Sequence, residues 1–194
     1  MSKWSQLLQE NLAASNRAKQ QLMGDASQLA TFQRAIDAVV ACYQAGGRLY
    51  IAGNGGSAAD AQHLATEFVS KLARDRGPLP AEALTTDSSL ITAIGNDYGF
   101  DQVFARQIAG KASAKDMFLA ITTSGVSPSI LRALEQCRKQ GVKSVLFTGR
   151  DGGPARPLAD FAIIAPGENT NRIQEVHLVL EHTLCESVER AMFP

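Results

Sequence analysis

At 194 residues the chain is long enough for one generous domain and short for two. A composition 45% hydrophobic and 20% charged excludes disorder as the default state, and nineteen Lys+Arg against nineteen Asp+Glu leave no net field to hold a nucleic-acid backbone or an anionic membrane. The three widely spaced cysteines, Cys42, Cys137 and Cys185, form no CxxC pair, which argues against a disulfide scaffold or a thiolate zinc site and fits the cytoplasm.

Residues 1–46 are predicted to form two helices. Trp4, Leu7, Leu8 and Leu12 recur at helical spacing until Gly24-Asp25 interrupts them. A second run, Leu29, Phe32, Ile36, Val39, Val40 and Tyr43, stops at Gly46-Gly47. Such stripes serve as core or as an oligomer interface, and the sequence leaves both open. The polar N-terminus does not resemble a signal peptide, and no apolar run reaches the roughly 18 residues of a membrane span.

From residue 47 to 194 the pattern alternates strand and helix. Short apolar runs at 49–53, 81–85, 117–122, 144–148 and 161–165 predict strands buried on both faces. Helices are predicted near 57–72, 88–94, 102–110, 128–140 and 170–192. The expected fold is therefore a single α/β domain, a flavodoxin-like three-layer αβα sandwich on a five-stranded parallel sheet, preceded by the two N-terminal helices. Ligands of such sheets sit beyond the carboxyl ends of the strands.

Two of the loops at that end have the right chemistry. In GNGGSAADAQH (53–63) glycines follow the strand directly, and Ser57 reads as the cap of the next helix, whose free N–H groups favour an anionic or polar ligand. Gly53, Gly55 and Ala58 also match a dinucleotide fingerprint, but the first acid in the right place, Asp87, comes too late in the chain for the ribose-binding role, so no nucleotide cofactor is expected. In TTSGVSPS (122–129), Thr122, Thr123, Ser124 and Ser127 surround Gly125 just before a helix with Pro128 in its first turn. Hydroxyls and free amides without lysine suit a phosphomonoester; a capped helix start is the plainer alternative.

The titratable groups are few. His63 and Glu67 share one helix face, as a solvated ion pair or as two zinc donors. The last helix carries Gln174, His177 and His182 among apolar residues, and either histidine could be a packing residue. Gln174 and His182 lie about 12 Å apart along the axis, so joint action on one ion requires long side chains, a frayed helix start or a second subunit.

With these residues in view, the chain resembles the sedoheptulose 7-phosphate isomerase (phosphoheptose isomerase) family of the sugar isomerase, or SIS, fold. The resemblance spans nearly the whole chain and rests on GNGGSAADAQH with Glu67, ALTTD (83–87), AIGNDYGF (93–100), TTSG (122–125), TGRDGG (148–153) and RIQEVHLVLEH (172–182). It implies an aldose–ketose isomerase working through an enediol in activated-heptose biosynthesis, as a homotetramer with sites between subunits. It further implies substrate contacts from Asn54, Gly55, Gly56, Ser57, Glu67, Asn96, Asp97, Thr122, Thr123, Ser124, Ser127 and Gln174. Zinc would be held by His63, Glu67, Gln174 and His182, with Glu67 the base and His182 the acid. Thr122 stands where serine is commoner, and Val126 and Ser129 where polar residues are usual for the first. The rival is a non-catalytic SIS adaptor that binds the DnaA replication initiator; the glutamate matching Glu67 is absent from those proteins and present here. A sugar-phosphate sensor would need a DNA-binding module, and the N-terminus holds no basic recognition helix.

Overall fold

The structure, a computed structural model, describes residues 2–194. Two helices open the chain, α1 (Lys3–Gly24) and α2 (Ala26–Gln44). The break between them is a single residue, Asp25, whose carboxylate accepts from the Ser27 and Gln28 amides at 3.0 Å and so caps α2. Then follow β1 (Leu49–Gly53), α3 (Gly56–Val69), β2 (Ala81–Ala83), α4 (Ser88–Tyr98), α5 (Ala105–Lys111), β3 (Met117–Thr122), α6 (Pro128–Gln140), β4 (Lys143–Gly149), β5 (Phe161–Ala165) and α7 (Thr170–Met192), with 3₁₀ turns at Phe100–Gln102 and Gly153–Leu158.

The strands lie in the order β2-β1-β3-β4-β5, and every pair is parallel. Alternate side chains of one strand feed opposite faces. In β3, Met117, Leu119 and Ile121 pack with α1, α2, α3 and α7, while Phe118 and Ala120 pack with α4, α5 and α6. That is the expected three-layer sandwich. The chain leaves β1 outward to β2 and returns to β3 on the other side of β1, so the order reverses between β1 and β3. A crevice opens at the carboxyl ends of those two strands.

Several local expectations are corrected. The second strand ends at Ala83, not residue 85, because the Thr86 hydroxyl bonds back to the Ala83 carbonyl and that of Thr85 to the Ala58 carbonyl, turning the chain off the sheet. The helix expected to stop at residue 94 continues to Tyr98, and the one expected from residue 102 starts at Ala105 after a 3₁₀ turn. Ser57 is not the cap of α3. That position belongs to Gly55, at φ 56° and ψ −121°, a conformation that a side chain disfavours, and Ser57 lies buried inside the first turn. The apolar residues of α2 are largely core, whereas Trp4, Leu7, Leu8 and Leu12 of α1 face outward, Trp4 being 67% exposed. Among the described residues no helix is long and apolar enough to cross a membrane.

His177 of α7 is fully buried against β4, its Nε2 3.1 Å from the Thr148 carbonyl. Burial pushes the imidazole down to about 4, with that hydrogen bond opposing. The unfolded chain, with an ordinary imidazole, binds the extra proton first, so stability present near neutrality is lost as pH falls from about 6.5 towards 4. Between pH 7 and 5 this group should remove about 2 kcal/mol. Denaturant titrations at those two pH values should show a loss smaller by about that amount in His177→Gln; an unchanged slope would show that the group does not titrate in this way.

Candidate active site

The crevice at the β1/β3 switch holds a cavity of about 160 Å³ lined by Asn54, Gly56, Ser57, Thr122, Thr123, Ser124, Ser127, Thr170 and Gln174. With each liquid water occupying about 30 Å³, this is ample room for a phosphoryl group. The first turns of α3, α6 and α7 all border it through Gly56, Ser127 and Thr170. Their free amides and dipoles point positive charge into a cavity without lysine or arginine. Ser127 at the head of α6 makes no side-chain cap bond; its hydroxyl lies 3.2 Å from that of Thr122. Asn54 donates to the Ser129 hydroxyl at 3.0 Å, tying the glycine loop to α6.

Close approach of backbone requires glycine at 125, while at 56 a side chain would displace only the movable end of Gln174. A Cβ on Gly125, at φ 68°, would fall 2.1 Å from the Gly152 carbonyl, because the loops after β3 and β4 pack backbone on backbone there. A Cβ on Gly56 would fall 2.4 Å from Gln174 Nε2, so the absence of a side chain lets the glutamine amide lie on the glycine loop.

The titratable cluster lies further along the same helices. His63 and Glu67 of α3 meet His182 of α7 within one chain: the two Nε2 atoms are 2.9 Å apart, and Glu67 Oε1 is 3.6 Å from His63 Nε2. One donor atom from each of the three residues falls within 4.8 Å of the others. Two nitrogens that close need one ring to donate and the other to accept, or a cation between them. A tetrahedral zinc with bonds of about 2.0–2.1 Å holds its ligands about 3.4 Å apart, close to these separations, and two imidazoles with a carboxylate are donors it accepts. The residues present therefore fit such an ion. No second subunit is needed to unite Glu67 and His182.

Behind the cluster are two carboxyls that sequence reasoning missed. Asp60, three residues before His63, and Glu181, beside His182, lie between α3 and α7. Both Glu181 oxygens and Asp60 Oδ2 are buried without a hydrogen-bond partner. Burial pushes Glu181 up to about 8, with the Asp60 charge adding to it; burial also raises Asp60, against the pull of His63. The signal for Asp60 was its place one turn before His63 on the same face.

Asn96 and Asp97 are not brought to this cavity within the chain. α4 starts at the carboxyl end of the edge strand β2 and carries Asn96 about 12 Å further along its axis. There the Asn96 amide donates to the Asp97 carboxylate at 2.8 Å, both residues are exposed, and Asp97 borders a separate cavity with Tyr98 and Arg106. Asp87, the acid at the strand end, caps α4 by accepting from the Leu90 amide at 2.9 Å.

Comparison with known proteins points the same way. Residues 13–149 match the SIS domain family. The phosphoheptose isomerase of Burkholderia pseudomallei (strain 1710b) is 46% identical over 183 residues, 94% of this chain and 93% of its own. This chain belongs to the phosphoheptose isomerase family. The corresponding enzyme of Aneurinibacillus thermoaerophilus is 44% identical over 186 residues, 96% of this chain and 94% of its own. The solved phosphoheptose isomerase of Neisseria gonorrhoeae superposes with a TM-score of 0.90 at 36% identity, covering 97% of this chain and 100% of that one.

Gly125→Ala should put strain and a backbone clash into the cradle shared by the β3 and β4 loops. Calorimetry should show a Tm loss of several degrees and isothermal titration at least a tenfold weaker affinity for a sugar phosphate. Unchanged binding would show that this cavity does not hold the phosphate.

Proposed function

We propose that the chain converts sedoheptulose 7-phosphate into D-glycero-D-manno-heptose 7-phosphate, an aldose–ketose isomerisation at the start of activated-heptose biosynthesis. The observation that carries this reading is the distance between two chemically distinct ends of one site. Along α3 from Gly56 to His63 is about 10 Å, and along α7 from Gln174 to His182 about 12 Å. An extended chain advances about 1.2 Å per bond, so the eight bonds from C1 to phosphorus of a seven-carbon 7-phosphate span roughly 10 Å. A phosphate in the hydroxyl-lined cavity leaves C1 and C2 at the level of the proton-transfer cluster.

In this reading Thr122, Thr123, Ser124 and Ser127 hold the phosphate with the helix amides. Asn54, Gly55, Gly56, Ser57 and Gln174 hold the sugar. Glu67 removes the proton from C1 while protonated His182 gives its proton to the C2 carbonyl oxygen, which yields the 1,2-enediol. His182 then takes the proton from the C1 hydroxyl and Glu67 returns a proton to C2, which leaves the aldehyde at C1 and both residues as they began. His63, in contact with both, holds them in register. His63, Glu67 and His182 would hold a zinc ion, which supplies Lewis-acid polarisation of the carbonyl when bound, whereas Gln174, expected as a fourth ligand, lies about 12 Å along α7 at the phosphate end with its amide on Gly56. A cation lowers the basicity of a carboxylate bound to it, so Glu67 works as base when loosely held.

The reading includes a homotetramer in the cytoplasm with sites at subunit interfaces. The uncovered apolar face of α1 (Trp4, Leu7, Leu8, Leu12) supports assembly, and Asn96 and Asp97, displaced from this chain's own cavity, suit contact with a neighbour's substrate. Three free, buried cysteines suit a reducing compartment. Binding to the DnaA initiator gains no support, since an adaptor has no use for Glu67 beside two imidazoles.

Glu67→Gln should retain the Tm and lower turnover by about 10²–10⁴-fold, the usual worth of a positioned base. A coupled assay for the aldose product checks this, and near-normal turnover would remove Glu67 from that role. A ketopentose 5-phosphate, about 2.4 Å shorter, should be turned over at least tenfold more slowly than the heptulose. Equal rates would contradict the length argument.

A further inference from the structure

Beyond the reacting residues, one pair of charges stands out as unused by the chemistry. Arg76, in the segment between α3 and β2, and Glu189, near the end of α7, are buried together, each side chain 1% exposed. Two guanidinium nitrogens meet one Glu189 oxygen, Nε and Nη2 both at 2.9 Å from Oε1. The remaining donors go to backbone: Nη2 to the Glu67 carbonyl at 2.9 Å, and Nη1 to the carbonyls of Phe68 at 2.6 Å and Gly77 at 3.1 Å. Glu189 in turn accepts from the Leu72 amide at 3.0 Å and the Ala73 amide at 3.2 Å. Burial opposes its ionisation, but those two amides and Arg76 outweigh it and hold the carboxyl below the usual range.

Two of the carbonyls taken by Arg76, those of Glu67 and Phe68, belong to the last turn of α3, where a helix leaves its own carbonyls unpaired. One of them is the carbonyl of Glu67, whose carboxylate reaches the imidazole pair. Glu189 stands two turns beyond His182 on α7, about 10 Å along its axis. One ion pair therefore joins the backbone of the proposed base to the helix that bears the proposed acid. A lysine could not replace the arginine, because one ammonium has three donors around a point, whereas the guanidinium spreads five over a plane.

We propose that Arg76 and Glu189 are positioning residues for proton transfer: they fix the register of α3 against α7, so that His63 and Glu67 face His182. The inference rests on the isomerase reading. It also divides the kinetic constants. The phosphate and sugar contacts sit at the opposite ends of the same two helices, at Gly56, Ser57 and Gln174, and do not pass through this pair. A displacement of about 1 Å at the reacting end costs on the order of 10²-fold in rate while leaving binding intact.

The test uses the full chain with Arg76→Lys and Glu189→Gln, assayed on sedoheptulose 7-phosphate well below each variant's Tm. Glu189→Gln is isosteric and keeps one oxygen to accept from the Leu72 amide while losing the charge and the second acceptor, so it carries the test if Arg76→Lys does not fold. The expected result is a kcat lowered at least tenfold with KM within about twofold of wild type. Folded variants with wild-type kcat and only a lower Tm would reduce the pair to a structural role and overturn the inference, as would a rise in KM with kcat unchanged. A wild-type chain without isomerase activity would overturn the isomerase reading itself; an active wild type beside unimpaired variants overturns only this inference.

Discussion

The structure depends on α3 and α7 lying side by side with their first turns at the same edge of the sheet. Both follow parallel strands and run back along the same face of the sheet, which aligns them. Alignment places two helix N-termini at the crevice, where they attract an anion, and puts side chains of both helices at matching depth about 10 Å away. The distance between the phosphate cradle and the proton-transfer cluster is thus a property of helix geometry. Substrate length follows from it.

That arrangement has a cost in buried polarity. His63, Glu67 and His182 share the α3–α7 seam with Asp60 and Glu181, which lack hydrogen-bond partners, and with Arg76 and Glu189, which are well supplied with them. A seam closed only by hydrocarbon would be more stable and would do no chemistry. The apolar residues of α3, Ala61, Leu64, Ala65 and Phe68, pack into the sheet-side core, leaving the polar positions to face α7 and the crevice.

Much of this was legible in the sequence because it is local. The five strands announced themselves as short apolar runs, and the hydroxyl-rich loop before Pro128 lies in the cavity as its composition suggested. What was missed is of two kinds. Backbone conformation moved the cap of α3 from Ser57 to Gly55, and side-chain hydroxyls at Thr85 and Thr86 cut β2 short. Contacts across long stretches of chain were the second kind. His63 and His182 are 119 residues apart, so spacing could not choose between a helix ion pair and a cluster of three. Arg76 and Glu189 are 113 apart, and no local pattern couples them. Asn96 and Asp97 show the reverse: the family motif singled them out, and the direction of α4 carries them away from the cavity of their own chain.

The central claim, that Glu67 and the imidazole beside it carry the substrate's hydrogen, is tested most directly by following solvent deuterium into the sugar. Proton NMR of sedoheptulose 7-phosphate incubated in deuterium oxide with the wild-type chain should show loss of one C1 proton and deuterium at C2 of the aldose. With Glu67→Gln that exchange should vanish. Exchange that survives the substitution would contradict the account.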